Sequence, residues 1–213
     1  LGIGGAWFET EHEAFGLEFG GSPGERLRWL SEALPIMRAM LDGGRPSSNG
    51  RYVTNEVLNL PAPVQERVPI LIGGSGPKVT LRLVAQYADM NNIGRVTAEE
   101  LAAKESTLIG HCEAVGRDER TIERTAGMGT AFIRDSREEA FTVMADVFAD
   151  NGDAKTWTGM PVGRPEHVVE HCTPYLDAGY RHLIFGSPAP YDEETLERLA
   201  TEVRPELEAY LAR

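Results

Sequence analysis

The chain has 213 residues, 41% of them hydrophobic and 25% charged, the composition of a folded domain large enough to bury a substantial core. Thirty-three acidic against 21 basic residues leave a formal net charge of −12, which argues against nucleic acid or an anionic membrane as a partner. Two cysteines, Cys112 and Cys172, offer no disulfide framework, and no apolar run approaches the roughly 20 residues of a membrane span. A small-molecule ligand and a reducing cytoplasm are the expectations. Any phosphate must then be held by backbone N–H groups and a few cations.

Leu1-Gly2-Ile3-Gly4 has no leading Met and reads as the tail of a buried strand, opening into Gly5–Phe8 and an acidic segment. From Gly24 to about Asp42, Leu27, Leu30, Leu34, Met37 and Leu41 fall on one helical stripe, which Pro35 is expected to kink or split before Gly43-Gly44 ends it. A polar excursion over 45–67 follows, with a short strand expected at Arg51-Tyr52-Val53.

Pro69–Ala85 is the most informative stretch. Ile70-Leu71-Ile72 reads as a strand buried on both faces, and Gly73, Gly74 and Gly76 allow a tight turn with uncovered backbone. Pro77 suits the first turn of a helix carried on by Leu81, Val84, Ala85 and Ala88. A strand, a bare turn and a helix N-terminus make an anion site. The amides of Ser75, Gly76, Lys78 and Val79 would form the cradle, with the Ser75 and Thr80 hydroxyls adding hydrogen bonds. The bland alternative is a plain turn whose glycines serve packing.

Further on, Asp89–Ile93 is expected as a strand. Thr97 and Glu100 form a capping box for a helix over 98–115, and Ser136 and Glu139 another for the helix over 137–149. Thr125–Ile133 reads as a strand, Asn151–Gly163 as a long loop, Pro165–Ala178 as a helix and His182–Phe185 as a strand. A last amphipathic helix over 192–212 is expected to break near Pro205. The alternation of strand and helix implies a parallel sheet flanked by helices.

Several motifs fail on inspection. Pro77 separates Gly76 from Lys78, so the segment is not a P-loop, and Trp7 takes the place of the third glycine of a dinucleotide fingerprint begun at Gly2. His167-Val168-Val169-Glu170-His171 matches an inverted zinc-peptidase motif, but nothing nearby announces a third ligand, and no metal is expected. Glu11 and Thr10 lie in a loop crowded with Trp7, Glu9, His12 and Glu13, where Glu11 would order the backbone and Thr10 reach a ligand. A solvated acidic turn is the alternative there.

The segments Gly2–His12, Glu25-Arg26-Leu27, Gly50-Arg51-Tyr52, Pro61–Gln65, Pro69–Gly76, Ala85–Asp89, Gly163–Glu166 and Asp177–Gly179 form an ordered series. That series resembles the luciferase-like monooxygenase superfamily, in its branch related to enzymes that use the deazaflavin coenzyme F420. The resemblance implies a TIM (β/α)8 barrel of the bacterial-luciferase type, binding F420 or FMN at the carboxyl ends of its strands. The chain would then be one incomplete barrel domain over 1–213, strands 4–8 with their helices, lacking the first three βα units. Gly73, Gly74, Ser75, Gly76, Lys78 and Val79 would hold the cofactor phosphate, and Thr10 would contact the cofactor. Trp7 stands where one sugar-phosphate dehydrogenase of the family has a catalytic carboxylate, so that chemistry is not implied, and no catalytic residue is assigned. Met90 and Asn91 replace a more usual Gly-Trp and are expected to alter the substrate wall. The implied activity is hydride transfer between F420 or FMN and an organic substrate, by a homo-oligomer, in the simplest case a dimer. The alternatives are an FMN-dependent monooxygenase using oxygen, and a catalytically silent barrel remnant that binds a ligand or a partner chain.

Overall fold

The structure, a computed structural model, describes residues 1–149 and 159–213. They fall into two compact units, the first made of residues 1–93 and 104–123, the second of 94–103 and 124–213. In the first, three short parallel strands lie side by side in the order β1 (Gly2–Gly4), β4 (Leu71–Gly73), β5 (Met90–Ile93). Between β1 and β4 come α1 (Glu9–Ala14), α2 (Pro23–Leu41) and a two-residue antiparallel pair, β2 (Ser48–Asn49) with β3 (Val53–Thr54). Helix α3 (Thr80–Tyr87) links β4 to β5, and α4 (Ala98–Ala114) follows. The helices bring Leu30, Leu34, Val84, Ala85, Leu108 and Cys112 onto Ile70 and Ile72, all essentially removed from water. At about 25 cal/mol per Å² of apolar surface removed from water, burial of this cluster stabilises the unit.

Several expectations are corrected here. Helix α2 runs unbroken through Pro35, which sits on the exposed face, where water can pair the carbonyl that the proline leaves free. Arg51-Tyr52-Val53 is not a strand, because Arg51 and Tyr52 lie in the turn between β2 and β3. The Arg51 N–H is taken instead by the Glu32 carboxylate at 2.7 Å, and its guanidinium pairs with Glu18 and lies 3.7 Å over the Trp29 ring. Leu71 is only half-buried, so β4 is not buried on both faces throughout.

The second unit carries β6 (Glu123–Thr130) parallel to β9 (His182–Gly186), with an irregularity between Gly127 and Gly129. The single strand expected over 125–133 is two, β6 and β7 (Phe132–Ile133), and β7 pairs in parallel with β8 (Val162–Gly163). Helices α5 (Arg137–Ala149) and α6 (Pro165–Asp177) cover them, with Phe132, Ala140, Phe148 and Val162 in one buried cluster. Residues 151–158 of the expected long loop lie outside the described residues; its end holds β8. The final helix is interrupted as expected, α7 (Glu193–Arg198) passing through a wide π-type segment, Leu199–Val203, into α8 (Arg204–Leu211). Pro205 has no N–H to give, and its ring displaces the carbonyl of Thr201, so the turn before it widens. Among the described residues no helix is long and apolar enough to cross a membrane.

Candidate functional site

Strands β1 and β4 run in register, Gly4 opposite Gly73, so the loops that follow them leave the same carboxyl edge. Glycine at position 4 is what allows this approach, since a Cβ there would stand 3.3 Å from the Gly73 carbonyl oxygen. The loop after β4 is Gly74–Val79. Helix α3 begins at Thr80, not at Pro77, because Pro77–Val79 form a turn closed by Leu81 N–H donating to the Gly76 carbonyl at 3.0 Å.

Three side chains from elsewhere hold this loop by its carbonyls. Asn91 Nδ2, on β5, donates to the Ile72 and Gly74 oxygens at 2.9 and 3.0 Å. Lys104 Nζ, on α4, reaches the Ser75 oxygen at 3.5 Å, and the His111 Nε2–H donates to the Pro77 oxygen at 2.7 Å. In a trans peptide the C=O and the following N–H point in opposite directions. The amides of Ser75, Gly76 and Lys78 therefore face away from the residues that hold those carbonyls. No hydrogen bond of the described residues occupies the N–H of Ser75, Gly76, Lys78 or Val79. Gly74 is different, its N–H donating to the Asn92 oxygen at 2.8 Å. Gly73 and Gly74 thus shape the turn, while the next residues present the donors. Gly74 sits at φ +112, a region that L side chains rarely adopt. A Cβ on Gly76 would come within 3.0 Å of the buried Thr80 hydroxyl.

The other predicted residue, Thr10, is exposed on α1. Among the described residues the Glu11 side chain makes no hydrogen bond. His12 orders that segment instead, its Nδ1–H donating to the Phe8 oxygen at 2.9 Å. A cleft of about 120 Å³ at the end of β1 is lined by Gly5, His12, Glu18, Arg26, Trp29 and Tyr52, among others. Arg26 crosses it, donating to the Gly5 oxygen at 3.0 Å and lying 3.9 Å over the Phe19 ring. A larger cavity of about 580 Å³ lies in the second unit, bordered by Asp135, Glu166, Glu170 and Glu202 around Arg198.

Asn91 is 1% exposed and acts as a buried brace, while Met90 beside it is half-buried. The role of Asn91, and those of Lys104 and His111, escaped the sequence reading because nothing local marks them. His167 Nδ1 accepts the Arg164 N–H at 3.1 Å, so that ring caps α6 and one of its nitrogens is spent. Among the described residues no group of three His, Cys, Asp or Glu is placed to hold a metal.

A model of the luciferase-like monooxygenase family matches residues 1–161. The chain belongs to that family. Its similarity to individual members is distant. An F420-dependent glucose-6-phosphate dehydrogenase of Nocardia farcinica is 26% identical over 87% of this chain and 62% of its own length. One from Microbacterium testaceum is 25% identical over 90% of this chain and 64% of its own. This luciferase-like chain therefore spans a little under two thirds of the relatives it matches. Among solved structures, a riboflavin lyase with modified FMN superposes with a TM-score of 0.72 at 14% identity, covering 95% of this chain and 61% of that one. The coenzyme F420 dependent tetrahydromethanopterin reductase of Methanopyrus kandleri gives 0.69 at 18%, over 97% and 73%. The fold is thus the α/β fold of the luciferase-like TIM barrels, represented here in part.

Proposed function

We propose that this chain is the cofactor-phosphate portion of an oxidoreductase that transfers hydride between coenzyme F420, or FMN, and a small organic substrate. The observation that carries the reading is the Gly74–Val79 loop, whose carbonyls are tied back by Asn91, Lys104 and His111 while its amides are left to a ligand. Such a cradle suits a phosphate, because several N–H groups can meet an anion where no side chain intrudes. Gly76 supports the fit, since a Cβ there would press on Thr80 and disturb the turn.

In this reading Gly73 and Gly74 set the turn. Ser75, Gly76, Lys78 and Val79 donate to the phosphate, Lys78 adds positive charge, and Thr10 on α1 meets another part of the cofactor. The bound deazaflavin or flavin supplies the hydride chemistry; the residues here fix where it sits. The F420-dependent relatives favour F420 over FMN. The oxygen-dependent reading keeps the same cradle and differs in what reoxidises the cofactor. Titrating the purified chain with F420 and with FMN, followed by cofactor fluorescence, tests the proposal. Saturable binding of either is expected, and failure of both to bind would overturn it.

A further inference from the structure

The β2–β3 hairpin of the first unit contains an asparagine followed by a glycine, Asn49-Gly50, and both are exposed. Glycine is required at position 50. A Cβ there would overlap the Glu32 carboxylate of α2, whose carboxyl carbon stands 3.2 Å from that position. Glu32 is held in place by accepting the Arg51 N–H at 2.7 Å. The Gly50 nitrogen itself is barely engaged. Its N–H has the Ser48 hydroxyl at 3.4 Å, the long limit of a hydrogen bond. Among the described residues the Asn49 carboxamide makes no hydrogen bond. Two residue pairs, Ser48 with Thr54 and Asn49 with Val53, make up the ladder. A ladder that short opens at little cost, which lets the carboxamide fold back onto the nitrogen that follows it. The other described asparagines lack one of these features. Asn91 is buried with its amide spent on two carbonyls. Asn55, Asn59 and Asn92 are followed by Glu56, Leu60 and Ile93, whose side chains crowd the approach.

We propose that Asn49 is a site of spontaneous deamidation, with water as its only co-reactant. The Gly50 nitrogen gives up its proton and attacks the carbonyl carbon of the Asn49 side chain. The new C–N bond closes a cyclic succinimide as the bond to Nδ2 breaks, and ammonia leaves with the proton. Water then opens the ring. Cleavage of the new bond leaves aspartate at position 49. Cleavage of the original peptide bond leaves isoaspartate, with the main chain rerouted through the side chain and one carbon longer. Nothing is oxidised or reduced. The glycine that Glu32 demands is thus what leaves the attacking nitrogen uncovered. Isoaspartate displaces the residues after it, so Arg51 gives up the Glu32 carboxylate, its pairing with Glu18 and its place 3.7 Å over the Trp29 ring. Trp29 and Tyr52 line the cleft at the end of β1, and the modification therefore remodels that wall.

The test is to age the whole folded chain in neutral and in mildly alkaline buffer and to follow two tryptic peptides by mass spectrometry. Ala39–Arg51 carries Asn49 as its single asparagine, and Tyr52–Arg67 carries Asn55 and Asn59. Deamidation of the first is expected to be at least about tenfold faster than that of the second, a barrier difference of about 1.4 kcal/mol. It should quicken as pH rises, because the attacking nitrogen must lose its proton, and it should yield isoaspartate together with aspartate. Aspartate alone would mean direct hydrolysis of the side chain and would overturn attack by Gly50. A synthetic Ala39–Arg51 peptide sets the unstructured rate. If the folded chain stays intact while that peptide is converted, the fold protects the step and the site is overturned. Asn49→Gln, which can close only a larger ring, should slow the loss of ammonia about tenfold or more, with a melting temperature that shows the chain still folds. An unchanged rate in that variant also overturns the proposal. In the separated isoaspartyl form the Arg51 Nε–H signal should shift in NMR, and an unshifted signal would refute the remodelled cleft.

Discussion

Asn91 is the residue through which the fold and the cradle can be tested together. Its side-chain amide spends both N–H groups on carbonyls of the neighbouring strand and turn, those of Ile72 and Gly74, from a position only 1% exposed. Asn91→Ala removes both bonds, at about 1 kcal/mol each, and the space it vacates adds on the order of 1 kcal/mol more. A loss of about 3 kcal/mol, with a urea slope of about 2–3 kcal/mol per molar, moves the unfolding midpoint down by about 1 M. Asn91→Asp keeps the shape but turns the donors into a carboxylate facing two carbonyl oxygens, so it should destabilise more than alanine at neutral pH. Both variants free the Gly74 carbonyl, and with it the peptide that aims the Ser75 amide. Cofactor affinity should therefore fall about tenfold or more even at temperatures where the chain remains folded. Urea unfolding followed by circular dichroism gives the first quantity and fluorescence titration with F420 the second. An Asn91→Ala variant that unfolds at the parent midpoint and binds F420 as the parent does would refute the brace.

Two further outcomes follow from neighbouring residues. Gly74→Val places a β-branched side chain at φ +112 and against the Thr80 methyl, which a Cβ would approach to 3.3 Å. It should cost about 2–3 kcal/mol of stability and weaken F420 binding, and unchanged binding by a folded variant would remove the turn from the cofactor site. Asp89 shapes the acid limb: burial raises its pKa, but the Ile70 N–H, Arg67 and Arg38 outweigh burial and leave it below the ordinary aspartate value. A carboxylate whose folded pKa is depressed contributes stability in full above its unfolded value, and loses it as pH falls through the folded one. The parent should accordingly lose stability below about pH 4 more steeply than Asp89→Asn, while the variant is the weaker by about 2–3 kcal/mol at pH 7. Parallel pH profiles from thermal melts would contradict this.

What the sequence made legible was local. Thr97 and Glu100 exchange capping bonds at 3.2 and 2.8 Å, and Ser136 and Glu139 do so at 3.2 Å each, because both partners lie within one helical turn. The break before Pro205 has the same kind of cause, a ring that acts only on the turn preceding it. Pro35 obeyed the same chemistry yet left α2 continuous, since the cost of a missing N–H depends on which face it opens to, and that is settled by tertiary packing. The excursion around Tyr52 was misread for a related reason. Its order comes from Glu18, Trp29 and Glu32, 19 or more residues away from Arg51, and not from a strand ladder.

The cradle combines both kinds of information, which is why only half of it could be read. Glycines after an apolar run announce a turn able to present amides, but a turn has two sides, and composition does not say which one faces a ligand. The choice is made by donors that hold the carbonyls: Asn91, 17 residues beyond Gly74, Lys104, 29 beyond Ser75, and His111, 34 beyond Pro77. Each sits on an element that reaches the loop only after β4, α3, β5 and α4 have packed. Orientation of the proposed anion site is therefore a product of the assembled unit, and under that proposal a change at Lys104 or His111 should alter cofactor affinity through residues that hold only the loop's carbonyls.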